Sequence, residues 1–290
     1  METKKVENAA NGLVQLKRYA QDLNEVYKSE KKKRKELHVA NQQLVKFASD
    51  LNRTIVELKG AHRQLQEAYL DTIHRLALAA EYKDEDTGDH INRMSQYSAL
   101  IAEKYGLPPI DVQNILYASP MHDVGKIGVP DNILTKTGKL SEEEFDLIKT
   151  HTVIGANILD NSKSDILKIA CRIARYHHEK WNGRGYPEGL SGTDIPIDAR
   201  IVGLVDVFDA LTSSRPYKNP YPVDVATDII EKERGQHFDP DLVDVFLDNF
   251  DKILEIKQCV SAGDDICLAA FNFSERDGKD GILLSLSDNK

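Results

Sequence analysis

The sequence predicts an all-α chain: a helical bundle preceded by one long helix that pairs in a parallel coiled coil. Three observations carry this expectation. Residues 12–78 contain no proline, and leucines recur there every seven positions. Histidines then return at intervals of 32 and 29 residues (His90, His122, His151), which suits one ligand set per helix of a bundle. Between them the turn residues are those of helix ends, and the alternating runs typical of a sheet are absent.

The leucines at d are Leu16, Leu23, Leu37, Leu44, Leu51, Leu58 and Leu65, which places Leu13, Ala20, Tyr27, Arg34, Asn41, Ala48, Ile55, His62 and Tyr69 at a. A strict seven-residue repeat sustained over this length gives a left-handed coiled coil. Asn41 at an a position pairs best with its own copy in a parallel homodimer. The run Lys31 to Lys35 interrupts the seam and reads as a solvated, locally weakened stretch. The helix meets no breaker before TIHRLALAAEY, so it leads into the first ligand region and suits passing a signal from an upstream partner.

The bundle follows from its caps. Gly106-Leu107-Pro108-Pro109 closes the helix that carries His90, and Ser119-Pro120 leads into His122. In KLSEEEFDLIKTH, Ser141 caps a helix with Glu144 as capping-box partner, and Leu140 and Phe145 occupy the staple positions. That helix carries His151 near its middle and ends its apolar stripe at Ile158 and Leu159. The loops KIGVPDNILTKTG and KWNGRGYPEGLSGTDIPID are rich in Gly, Pro and Lys, as segments that approach a ligand often are. Three domains are expected: a coil over 1–78, a catalytic bundle over 79–256, and a tail over 257–290.

Composition excludes several function classes. With 290 residues, 41% hydrophobic and 29% charged, the chain has room for a core and a long solvated element. A net charge of −9 argues against a nucleic-acid polymer as partner and leaves room for a small phosphate ligand held by local cations. Cys171, Cys259 and Cys267 form no CxxC pair or even-numbered framework, which points to a reduced cytoplasmic setting. No stretch reaches 18 apolar residues, so no membrane insertion is expected.

Imidazoles and carboxylates without thiols suit iron, manganese or zinc. Neighbours on a helix point about 100° apart, so both members of a doublet serve two ions more easily than one. The chain has two doublets, His122-Asp123 and His177-His178, and the short carboxylate of Asp123 has two oxygens with which to bridge. At least a binuclear site is expected, its centres about 3.5–4 Å apart.

These motifs resemble the HD superfamily of metal phosphohydrolases, and specifically its HD-GYP branch of cyclic dinucleotide phosphodiesterases. The resemblance rests on TGDHINRM around His90, HDVGKIGVPD, HTVIG at His151, HHEKWNGRGYP with Gly185-Tyr186-Pro187, and DVFDALTSSRPYK, in order over residues 72–245. It implies an HD-type helical bundle, two or three divalent ions (iron or manganese), and hydrolysis of cyclic di-GMP to pGpG and GMP. It also implies a ligand set of His90, His122, Asp123, His151, His177, His178 and Asp206. Asp86 stands where three-metal relatives carry Glu, and its shorter arm leaves the metal count at two or three.

The resemblance further assigns Lys126 to the scissile phosphate, and Arg215 and Lys218 to the substrate phosphates. Tyr186 stacks or hydrogen-bonds against guanine, and Asp209 supports the ligands without being one. Two ions bring a shared water toward a neutral pKa, giving a bridged hydroxide in line with phosphorus, and Lys126 neutralises charge on the phosphoryl oxygens. The alternatives are another cyclic dinucleotide such as cyclic GMP-AMP, or a cyclic di-GMP receptor without turnover that signals through the coil. His237, His38, His62 and His74 are expected to lie outside the site.

Overall fold

The structure, a computed structural model, describes residues 2–84, 88–213 and 220–261. The expectations for Asp86, Arg215 and Lys218, and for the tail beyond 261, lie outside the described residues. The chain divides into two compact units, residues 1–69 and 70–290.

The first unit is helical throughout its described length, as part of α1 (Glu2–Glu81). Lys, Glu, Gln and Leu dominate it, residues that lose little side-chain freedom in a helix. Pairs such as Arg63–Glu67 at 2.9 Å add the usual small i,i+4 support. Among the described residues of the unit nothing covers the heptad seam: Leu16 and Leu23 are 70% and 72% exposed, and Leu44, Leu58 and Leu65 are similar.

The second unit begins with the last turns of α1, where Ile73, Ala77 and Ala80 are buried in the core. A 3-10 turn, Tyr82–Asp84, follows. Then come α2 (Gly88–Tyr105), α3 (Pro109–Ala118), α4 (Asp131–Leu134), α5 (Glu142–Leu159) and α6 (Asp165–Tyr176). The chain continues through α7 (Ile197–Thr212), α8 (Val223–Lys232), α9 (Pro240–Asp248) and α10 (Phe250–Ser261). Among the described residues there is no strand, only isolated bridges such as Asn182–Ser191. The all-α expectation therefore holds. No helix among the described residues is long and apolar enough to cross a membrane.

α2 is the central helix. Ile91, Met94, Tyr97 and the stretch Ser98–Ala102 are all buried, and α2 packs on α3, α7 and α10. Tyr97, Phe208 and Phe246 meet edge to face, at 5.8 and 5.1 Å between ring centroids. Each fully buried side chain of this size contributes roughly 1.5–3 kcal/mol. Gly106 at φ +93° ends α2, with Leu107 N–H reaching the carbonyl of Ala102, the six-to-one bond of a Schellman closure. The capping box at Ser141 is present in both directions. Phe145 turns its ring edge-on to Tyr186 at 6.3 Å, so the residue expected to staple the cap also reaches the GYP loop.

Candidate metal centre

The expected ligands come from four helices and the turns between them. His90 lies in the first turn of α2, His151 in the middle of α5, His177 at the C-terminus of α6, and Asp206 within α7. His122 and Asp123 sit between two 3-10 turns, Ser119–Met121 and Val124–Gly128. The fold gathers them into two groups whose candidate ligand atoms lie within 4.8 Å of one another: Asp123, His151, His177 and His178 in one, and His90, His122 and Asp206 in the other.

The doublet His122-Asp123 thus divides between the two groups, as its geometry suggests. His177-His178 does not divide: both imidazoles belong to one group, their ring centroids 4.0 Å apart. The physical reason is local. His177 ends α6 and His178 lies beyond it, so the 100° helical spacing no longer separates their side chains.

Each of four rings is turned the same way. Nδ1–H donates to the carbonyl of Ser119 in His122 (2.9 Å), of Ile148 in His151 (2.6 Å), and of Ile173 in His177 (3.0 Å). In His90 it donates to Asp209 Oδ2 at 2.7 Å. A carbonyl only accepts, so these contacts place the proton on Nδ1 and leave Nε2 as a lone-pair donor. The Nε2 atoms of His122, His151 and His177 are buried without any hydrogen-bond partner, and so is Asp123 Oδ1. Orphaned acceptors of this kind are costly unless a cation satisfies them, and the arrangement fits divalent ions.

Asp123 faces both groups. Its Oδ1 lies 3.3 Å from His151 Nε2 and 3.5 Å from His177 Nε2, while Oδ2 lies 3.4 Å from His122 Nε2. Lys126, one short turn on, brings its Nζ to 2.7 Å from Oδ2. Burial works against the Asp123 charge, but Lys126 and His122 outweigh it and hold the carboxyl well below the usual range. Burial likewise opposes charge on His122, yet Asp123 and Asp206 push it up to about 9, so a proton and a divalent ion compete for its Nε2. The field between the two groups favours positive charge. At His178 burial dominates, with His177 and His151 adding to it, and the imidazole is driven well below the ordinary histidine range.

Asp209 supports the second group, as its spacing suggested. It accepts from His90 and takes a two-point contact from Arg93, at 2.6 and 2.9 Å. Burial raises its carboxyl, but Arg93 and His90 more than compensate, leaving it below the usual range. Tyr186 packs on His178 at 4.8 Å between centroids, with Lys149 5.9 Å from its ring. Burial, and then the charges of Asp123 and Asp206, push its hydroxyl above the usual tyrosine range.

Two buried carboxylates were missed in the sequence. Glu81, the last residue of α1, has an unpartnered Oε1, and burial followed by Asp123 raises its carboxyl despite Lys126. Its signal was available: it continues the stripe of Ile73, Ala77 and Ala80, where a carboxylate is out of place. Glu179 accepts the backbone N–H groups of Glu188 (2.7 Å) and Gly189 (3.0 Å), closing the GYP loop on the end of α6. No spacing rule signals a side-chain to backbone bond across nine residues. His237 belongs to neither ligand group and stacks on Phe238 at 4.3 Å.

The family model described as "HD domain" matches residues 75–242. The chain is similar to the "Cyclic di-GMP phosphodiesterase" of Thermotoga maritima, 44% identical over 184 residues, which is 63% of this chain and 50% of that protein. It is similar to the "Cyclic di-GMP phosphodiesterase response regulator RpfG" of Xanthomonas campestris pv. campestris, 43% identical over 190 residues (66% and 50%). A third relative is the "3'3'-cGAMP-specific phosphodiesterase 2" of Vibrio cholerae, 40% identical over 193 residues (67% and 37%). The chain spans about half or less of the length of these curated relatives. With more than half of its residues matched by the family model and the His-Asp pair at the centre of the site, the chain belongs to the HD domain family.

Proposed function

We propose that the chain is a metal-dependent phosphodiesterase that hydrolyses cyclic di-GMP to pGpG and GMP. The observation that carries this reading is the set of three buried, unpartnered Nε2 atoms around a carboxylate whose two oxygens face two ligand groups, with an ammonium 2.7 Å away. Asp123, His151, His177 and His178 would hold one ion, and His90, His122 and Asp206 another, with Asp123 facing both. Iron or manganese suits this thiol-free set. Bound there, the ions supply Lewis acidity and an activated water at neutral pH.

The chain's own residues do the rest. Lys126 neutralises charge as it grows on the phosphoryl oxygens. Arg215 and Lys218 grip the substrate phosphates, Arg by its planar fork. Tyr186 offers a ring to a guanine beside His178. Residues 79–256 form the catalytic part, and residues 1–78 pair two copies in parallel along the exposed leucine seam. The thiol pattern and a soluble nucleotide substrate fit the cytoplasm. Cyclic GMP-AMP is the second substrate reading, favoured by the 40% identity to a relative named for it.

The test is turnover of both cyclic dinucleotides by the manganese- or iron(II)-loaded chain, with products separated and metal counted. Cyclic di-GMP should be cleaved faster. Asp123→Ala should lose metal and activity together, whereas Lys126→Ala should keep its metal and lose turnover by about a hundredfold or more. Tight binding of cyclic di-GMP with no product would make the protein a receptor.

A further inference from the structure

The turn that carries Lys126 is held by a second lysine from the other side. Lys83, in the 3-10 turn after α1, donates from Nζ to the carbonyl oxygens of Ile127 at 2.7 Å and Val129 at 2.8 Å. The side chain is only 24% exposed. Among the described residues its carboxylate neighbour is Asp131 at 3.3 Å, which is 78% exposed and therefore screened. The backbone carbonyls are its principal partners.

Those carbonyls belong to the end of the Val124–Gly128 turn. Lys126 N–H bonds the Asp123 carbonyl at 2.9 Å, and Val129 N–H returns to the Lys126 carbonyl at 3.0 Å. The carbonyls that follow have no partner within so short a helical turn, and a cation is the group that satisfies such an end. The Ile127 side chain gives little help here, being 58% exposed, whereas Val129 is buried and adds packing at its own position. On the opposite side Gly125 is pressed against α5, where a Cβ would stand 1.9 Å from the carbonyl of His151. The segment is thus pinned at Gly125 by close packing and at residues 127 and 129 by the Lys83 ammonium, with Lys126 between the two.

We infer that Lys83 is a positioning residue for catalysis: it fixes the backbone on either side of residue 128 so that the Lys126 ammonium is held beside Asp123. This rests on the reading of Lys126 as the group that meets the scissile phosphate. Among the described residues Lys83 belongs to neither ligand group, and on this account it does not meet the substrate. A small displacement of a charge-stabilising group costs rate far more than it costs binding.

The experiment uses the full chain loaded with manganese, and compares Lys83→Met, Lys83→Arg, Lys126→Met and the Lys83→Met/Lys126→Met double variant on cyclic di-GMP and on bis(4-nitrophenyl) phosphate. Lys83→Met should keep its metal and helicity while kcat falls about tenfold to a hundredfold and KM moves less than about threefold. Lys83→Arg, which keeps a cationic donor, should recover most of that loss. In the Lys126→Met background, adding Lys83→Met should change kcat by less than about twofold, because the two act as a unit. In metal-free protein, acetic anhydride should label Lys126 faster in Lys83→Met than in wild type, read by mass spectrometry.

A wild-type kcat in Lys83→Met, or an equal loss in the Lys126→Met background, overturns the inference. So does loss of metal, which would make the ammonium a support of the ligands. Should Lys83→Met fail to fold, Lys83→Gln is read by the same criteria. A wild-type chain that cleaves the small diester but neither cyclic dinucleotide would sink the substrate reading alone, with the Lys83–Lys126 coupling still measurable on the small diester.

Discussion

Which nitrogen a histidine shows to the site is decided by what the other nitrogen touches. Three rings here are fixed by backbone carbonyls of their own segments and one by Asp209. The difference has a testable consequence. Asp209 also carries the two-point contact from Arg93, so its charge compensates a buried cation as well as orienting His90. Asp209→Asn should keep the fold and weaken metal affinity about tenfold to a hundredfold, as loss of an outer carboxylate partner does. Chelator competition measures this, and an ion in the proposed site of His151, His177 and His178 should be the less affected. Unchanged affinity at both positions would show that the carboxylate does not tune the site.

Single elements differ in how much room they leave. Gly125 is where the Val124–Gly128 turn crosses α5, and an added Cβ would meet the His151 carbonyl at 1.9 Å and Gly155 N at 2.4 Å. Both are backbone atoms, so no side chain can swing away. Gly125→Ala should therefore separate the turn from α5, cost at least about 1–3 kcal/mol, and release metal. At the start of the same helix, Ser141→Ala removes one cap bond at the surface and should cost about 1 kcal/mol with metal and turnover intact. Thermal unfolding and metal counting on the two variants separate packing at the site from stability of the helix. Equal metal content in both would refute the assignment of Gly125. Gly185 follows the same logic in the GYP loop, where a Cβ would stand 2.4 Å from the backbone of Glu179.

For the molecule as a whole, two properties stand out. The leucine seam of residues 12–69 is exposed among the described residues of its own unit, and a second copy in parallel register would cover it with Asn41 facing its own counterpart. A chain starting near Thr72 should lose most of the dimer by light scattering; full-length protein that is monomeric at micromolar concentration would refute the coiled-coil reading. Outside the ligand groups, His237 contributes to acid stability; the Trp181 N–H bond to its carbonyl (3.0 Å) ties the GYP loop to the segment before α9. Burial, reinforced by Lys180, pushes its imidazole down to about 4. A depressed histidine binds fewer protons folded than unfolded between about 4 and its ordinary 6.5, so stability falls as pH drops through that window. The loss is at most about 3.5 kcal/mol, at about 1.4 kcal/mol per unit, and less for a ring that is not fully buried. His237→Gln should flatten the pH dependence of Tm between 4 and 6.5, and an unchanged slope would assign the acid sensitivity elsewhere.

The helical class, the seam, the caps at Gly106 and Ser141, and the residue types that gather in the two groups were legible in the sequence because each is written in local spacing. A heptad, a capping box and a His-Asp neighbour pair need only a few residues to declare themselves. Tertiary structure alone decided how the ligands divide into two groups, since His178 leaves the helical path at the end of α6 and joins His177 rather than facing a separate ion. It also decided that Glu81 lies in the field of Asp123, that Glu179 closes the GYP loop, and that Lys83 reaches the turn carrying Lys126. Lys83 and Ile127 are 44 positions apart and meet through a side chain and a backbone carbonyl. A carbonyl is present at every residue, so no pattern of side chains marks which one a distant ammonium will find.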